Sequence, residues 1–289
     1  MTISAGDGPG SVLTVTPQSA GWQYLSFAVV DLAQGQEHRH LLSDQETAVV
    51  PLAGSAVLSI GGQQHEVGRR SVFAELAPVG YGPPGVEIVV KAVSESFTFA
   101  IGSAPAEGRY PARLIQPSTI HSEVRGGGAA LRQVNHTLAP PIEAERLILY
   151  EVYVPRGTWS GWAPHRHDGV DGSPYLEETY YFRLDKAEGF WIHRNWEDGT
   201  GYEGDGPEPY EQLMSGRDGD CALVPGGYHS SVACPGANMY FLNFLAGEPI
   251  GDQRATPPCF HSDFTWIESD WGEGAWHLPV IDGRSDGDG

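Results

Sequence analysis

Short runs of β-branched and aromatic residues follow one another along the whole chain, each ended by Gly, Pro or Asp, and helical periodicity is weak nearly everywhere. This punctuation limits the fold more than any other feature, because it admits short strands and tight turns and little else. The 38 glycines and 22 prolines supply the turns, while 40% hydrophobic residues supply core. Strands are predicted at 24–30, 47–52, 56–60 and 87–91, with Gly61-Gly62 as the tight turn of a hairpin running into 63–67. More are predicted at 131–134, 146–154, 179–183, 189–193, 221–224 and 238–245. The two halves share this outline, and 289 residues suffice for two cores. The expected class is therefore all-β, with two tandem β-sandwich or barrel domains.

The expected division is a disordered or extended N-terminus over residues 1–19, a first domain over 20–125, a second over 126–270 and a flexible tail over 271–289. Residues 105–128 are read as the connection, and the Gly- and Asp-rich 282–289 as too polar to pack. A formal net charge of −20 excludes nucleic acid as a partner, since no basic patch neutralises phosphates. An anionic ligand would need a local Arg, Lys or metal against that field. Three scattered cysteines (Cys221, Cys234, Cys259) predict a reducing, cytoplasmic setting. Residues 1–19 show neither a basic n-region nor an apolar h-region, and no apolar run approaches the roughly 20 residues of a membrane span. No membrane partner is expected.

Pro164-His165-Arg166-His167 opens the chemistry. Side chains alternate along a strand, so His165 and His167 share a face. Downstream, Glu178, Tyr180 and Phe182 fall on one side of a strand, and Glu177, Thr179 and Tyr181 on the other. Only one glutamate can aim inward. Glu178 takes Tyr180 and Phe182 with it, which leaves Glu177 as a solvent-facing or hydrogen-bonded carboxylate. Residues 220–225 form a further strand ending in the turn Pro225-Gly226-Gly227, with His229 behind it. Three imidazoles and one carboxylate suit a single borderline divalent ion: Zn²⁺, Mn²⁺, Fe²⁺ or Ni²⁺. A lone HxH in a chain with 11 His is weak; Glu178 and His229 following in order make it specific. Tyr180, beside Glu178, is the candidate to relay or donate a proton, and a buried aromatic with a satisfied hydroxyl is the alternative.

The first half imitates this motif with His38-Arg39-His40 and Glu46, but no His follows the turn near 79–85. Tyr81 is a poor ligand, and His65 sits in the hairpin. The first domain is expected to hold no metal, with His38 and His40 on an exposed loop and a role in packing.

These residues resemble the cupin superfamily, whose first motif is HxH followed by Glu and whose second is Gly, a Pro-x-Gly turn and His. Here the second reads Gly219, Pro225-Gly226-Gly227 and His229. The span from His167 to Glu178 is wider than the general pattern and holds a polar insert, 168–174, which is either a lid or an ordinary loop. With that insert, His165-Arg166-His167-Asp168, Tyr175-Leu176-Glu177-Glu178-Thr179-Tyr180-Tyr181-Phe182-Arg183 and Val224-Pro225-Gly226-Gly227-Tyr228-His229 resemble the 5-deoxy-glucuronate isomerase family of myo-inositol breakdown. Residues 21–28 and 147–155 resemble it too, so the likeness runs from about 20 to 267. The related ketol-isomerases of 4-deoxy-5-hexosulose-uronate, from pectin breakdown, share the plan.

The resemblance implies two tandem cupin (jelly-roll) domains and one metal, zinc first, in the second of them. It implies a small sugar-acid substrate and isomerisation of 5-deoxy-glucuronate to 5-dehydro-2-deoxy-D-gluconate. Arg132 matches the family pattern as the anchor of the substrate carboxylate, with Arg183 and Arg194 as rivals; strand parity sets Arg183 opposite Glu178. Two other classes compete: a metal-dependent oxygenase, whose pocket would be more apolar, and a non-enzymatic sugar-sensing or scaffold protein. Strand edges in such folds invite pairing, so a homo-oligomer is expected.

Overall fold

A computed structural model describes residues 2–3, 10–199 and 208–269; the predicted tail, 271–289, lies outside them. The strands begin with β1 (Thr2–Ile3), β2 (Gly10–Val15), β3 (Ser26–Ala33), β4 (Glu37–His40), β5 (Gln45–Ile60), β6 (Gln63–Arg69), β7 (Val79–Gly82), β8 (Ile88–Ala92), β9 (Ser96–Pro105) and β10 (Arg113–Ile115). They continue with β11 (His121–Arg125), β12 (Arg132–His136), β13 (Ile148–Val154), β14 (Trp159–Arg166), β15 (Leu176–Leu184) and β16 (Trp191–Glu197). The last are β17 (Tyr210–Gly216), β18 (Cys221–Val224), β19 (Tyr228–Ala233), β20 (Met239–Gly247) and β21 (Cys259–Phe260). The protein is all-β, built as two cupin barrels in tandem. Among the described residues no helix is long and apolar enough to cross a membrane.

In the first barrel the strands run β10-β7-β5-β9-β3-β2, and β4, β6 and β8 close the other side. The predicted strands at 47–52 and 56–60 are one 16-residue strand, β5, which pairs with β7 and β9 over its first part and with β6 and β8 over its second. It turns from one sheet to the other at Gly54, whose φ is 90° and where a Cβ would stand 2.2 Å from the Ser96 carbonyl oxygen. No other residue type fits there without moving backbone. The hairpin at Gly61-Gly62 forms as expected.

The second barrel has one sheet ordered β1-β18-β15-β20-β13-β12-β11 and another ordered β17-β16-β19-β14-β21. Within the segment expected to be disordered or extended, 1–19, residues 10–15 are extended as β2, which pairs with β3 and buries Leu13 and Val15. Two expectations change. The connection 105–128 holds two strands: β10 belongs to the first barrel and β11 to the second, so the second barrel begins before residue 126. His38 and His40 lie on β4, paired with β8, instead of on an exposed loop; both are half-buried and His40 Nε2 meets Ser103 Oγ at 3.1 Å. Their alternation along a strand hides them from water on one side.

The two barrels share one core. Leu13, Val15, Phe27 and Val50 of the first pack with Tyr181, Leu223, Leu242 and Phe244 of the second. Buried carboxylates seam the joint. Glu46 of β5 accepts the backbone N–H groups of Glu145, Arg146 and Leu147 and the Tyr81 hydroxyl. Arg69 crosses the joint to Glu151 at 2.6 Å, both side chains fully buried.

Candidate functional site

Parity along β15 sorts the two adjacent glutamates. Glu177 faces the first barrel and accepts N–H bonds from Gln23, Tyr24 and Leu25 at 2.6–2.9 Å. It is hydrogen-bonded, as one of the two readings had it, and buried, not solvent-facing. Glu178 faces the interior of the second barrel with Tyr180 and Phe182.

Strand β14 brings the histidines to it through a break in register. Ser160 pairs with Ser231, yet His165 pairs with His229, so β14 spends three more residues than β19 between the two points. Such a bulge re-aims the side chains that follow it. His165 thereby stands directly across from His229, and His167 follows at the end of the strand. One nitrogen from each of the three imidazoles falls within a single 4.8 Å group. Glu178 Oε2 lies 2.9 Å from His167 Nε2 and 3.2 Å from His229 Nε2. The four predicted ligands are together.

Backbone and a buried ion-pair knot hold them there. His167 donates Nδ1–H to the Leu176 carbonyl at 2.9 Å, which aims Nε2 at the group. The turn before His229 needs Gly227, with φ of 71° and the Trp196 carbonyl oxygen 2.4 Å from where a Cβ would be. Arg166, fully buried between the two histidines, grips Asp168 with Nε and Nη2 at 2.9 and 2.8 Å and reaches Glu197 at 2.7 Å. Asp168 in turn accepts the Gly227 N–H at 2.6 Å. The start of the 168–174 insert thus ties β14 to the turn that carries His229.

Electrostatics follow from this packing. Desolvation, then the neighbouring His229 and His167, hold the His165 pKa well below its ordinary value. Burial alone would raise the Glu178 carboxyl, but contacts with His167 and His229 outweigh it and keep it ionised. Burial and then the Glu178 charge push the Tyr180 hydroxyl well up, so it stays protonated.

The donor set suits a divalent metal. His229 is fully buried, and neither of its nitrogens finds a hydrogen bond among the described residues. Its Nε2 stands 3.2 Å from Glu178 Oε2 outside hydrogen-bond geometry and its Nδ1 has no partner among the described residues, so an ion would supply a bond that the ring lacks. The spacings from Glu178 to the two Nε2 atoms also match the roughly 3 Å edges expected between neighbouring ligands at ~2.1 Å from one ion.

Above the group opens a cavity of about 150 Å³ lined by Arg132, Tyr150, Tyr180, Asn243 and Arg254, with Arg125 at its edge. Arg132 is half-buried, and among the described residues its side chain bonds only the Ala130 carbonyl. Burial, then Arg125, pulls its pKa down to about 10, and among the described residues it has no ion pair. The rivals lie elsewhere: Arg183 pairs with Asp218 and Arg194 with Glu211. Asn243 and Arg254 were not anticipated. A lone Asn inside the apolar run 239–245 was the available signal for the first.

Residues 2–267 match the profile of the KduI/IolB family. The chain belongs to that family. Within it, the 5-deoxy-glucuronate isomerase of Geobacillus kaustophilus (strain HTA426) is 36% identical over 266 residues, 91% of this chain and 90% of the relative. The crystal structure of an IolB-like protein from Salmonella typhimurium LT2 superposes with a TM-score of 0.83 at 31% identity, covering 92% of this chain and 98% of that one. Oxalate decarboxylase of Lactobacillus farciminis, at 11% identity and a TM-score of 0.62 over 93% of this chain and 90% of its own, shares the bicupin fold alone.

Proposed function

We propose that the protein is a 5-deoxy-glucuronate isomerase, an aldose-ketose isomerase that yields 5-dehydro-2-deoxy-D-gluconate in inositol catabolism. His165, His167, Glu178 and His229 hold one divalent metal, zinc first with manganese, iron or nickel open to the same donors. The observation that carries the reading is the buried His229, its nitrogens outside hydrogen-bond geometry, closing that group beside a cavity whose wall holds Arg132 without an ion pair among the described residues. The names of the relatives point the same way.

When bound, the metal supplies Lewis-acid stabilisation of the negative charge that develops on the sugar oxygens as a proton moves from C2 to C1. The chain's own groups do the rest. Arg132 pairs its planar guanidinium with the substrate carboxylate and sets which end of the sugar points inward. Glu178 stays ionised and keeps His167 and His229 in place. Tyr180 keeps its hydroxyl proton and is placed in the cavity wall to deliver one to a sugar oxygen. Free Cys221, Cys234 and Cys259 accord with work in the cytoplasm, and the exposed Val124 on edge strand β11 with assembly into a homo-oligomer.

Turnover measured on 5-deoxy-glucuronate and on 4-deoxy-5-hexosulose-uronate, with and without a chelator, tests this. Ketose should form from the first substrate, stop on chelation and return with Zn²⁺ or Mn²⁺. His229→Ala should lose the activity and the metal held by His165, His167 and Glu178. A metal-replete sample that makes no ketose would sink the reading, and oxygen uptake would replace it with an oxygenase.

A further inference from the structure

We propose a second cation site, for a borderline divalent metal such as Zn²⁺, formed by His121, Glu123 and His136 at the outer edge of the second barrel. The proposal does not rest on the reading of the first site. Its geometry comes from the pairing of β11 with β12. His121 stands directly across from His136, and Glu123, two residues on, returns to the same face. Two imidazole nitrogens and a carboxylate oxygen consequently fall within 4.8 Å of one another, with the two rings 5.1 Å apart. Two histidines and a carboxylate, open to water on one side, match a common ligand set for such ions.

The groups around it leave room for an ion. Arg125 and His136 both use Glu123 Oε1, at 2.8 Å from the Arg125 Nε and 2.8 Å from His136 Nε2, so Oε2 remains for a cation. Among the described residues the His121 side chain makes no hydrogen bond and no ion pair, so an ordinary surface ion pair accounts for Glu123 and leaves His121 unexplained. Arg125 is the competitor, 3.5 Å from His136 Nε2. It is 45% exposed, and an exposed pair holds its partners weakly. Its alternative position is the cavity edge, which it already lines. Tyr150, edge-on to the His136 ring at 5.2 Å, supports that ring from the cavity side. An ion here would also pin β11, whose ladder runs only to β12, onto the sheet.

Equilibrium dialysis of the metal-free, full-length chain against Zn²⁺, with metal counted per chain, decides the matter, and Co²⁺ absorption gives a second readout. In a His229→Ala background one equivalent should still bind. Adding His121→Ala or Glu123→Gln should weaken that binding at least about tenfold, the lower end of what losing even an outer-shell partner does. Both changes lie at exposed or half-exposed positions, and circular dichroism confirms the fold. If His229→Ala binds no Zn²⁺, or binds it with equal affinity after His121→Ala, the second site does not exist. Should the first site instead fail, wild type and His229→Ala would bind alike and His121→Ala would abolish binding, which keeps this proposal and removes the other.

Discussion

Arg132 carries its charge in a setting that penalises it, since burial and Arg125 pull its pKa down more than Tyr180 and Glu123 raise it, and no carboxylate among the described residues pairs with it. A bound carboxylate is the missing partner. Arg132→Lys should raise KM for the sugar acid about 10- to 100-fold, the worth of one good charged hydrogen bond, with a smaller effect on kcat. An unchanged KM in steady-state kinetics would shift the anchor to Arg125, because Arg254 spends its guanidinium on the carbonyls of Leu138, Ile142, Leu147 and Gly251. At this scale the sequence was informative where chemistry repeats a spacing. His165, His167, Glu178 and His229 stand in order, and period-2 alternation alone separated Glu178 from Glu177. It was silent on Arg166, because one of that residue's partners is 31 positions away and the role exists only in three dimensions.

Strand β14 and the turn before β19 act as one element through Arg166. Replacing it by Met leaves a buried Glu197 and a half-buried Asp168 with no cation, which should cost about 3–5 kcal/mol of stability. Urea unfolding would measure this, and metal analysis should show weaker retention because Gly227 loses its fixed acceptor. If both stay at wild-type values, the knot is ornamental. Strands that read well in the sequence were those whose apolar residues face a core, such as β13 and β20. Those missed were polar for a reason. Strand β19 reads Tyr-His-Ser-Ser-Val-Ala because its inward side chains meet the ligand group and His193, whose Nδ1 bonds Ser231 at 2.8 Å. Strand β14 was read only at its His165–His167 end, and Gly161 and Pro164 before it lie within its bulge. Functional strands break the alternation that identifies ordinary ones.

Across the whole molecule, the shared core and the buried carboxylates predict that both barrels unfold in one cooperative transition. Glu177→Ala would strand three N–H groups of the first barrel, and it should lower stability by at least about 2 kcal/mol. Calorimetry should show a lower Tm and still a single peak; two separated peaks would mean that the barrels are independent. The tandem plan was legible from the repeated outline of short strands. The depth of the joint was not, because Glu46, Glu151 and Glu177 look in sequence like any surface acid. Strand β15 has two masters, the cavity on one face and the joint on the other. A single inserted codon just ahead of Glu177 would exchange the faces of the two glutamates and spoil both in one event, whereas the loop beside it, past Asp168, can drift in length. Evolution can therefore retune the entrance to this cavity far more freely than its wall.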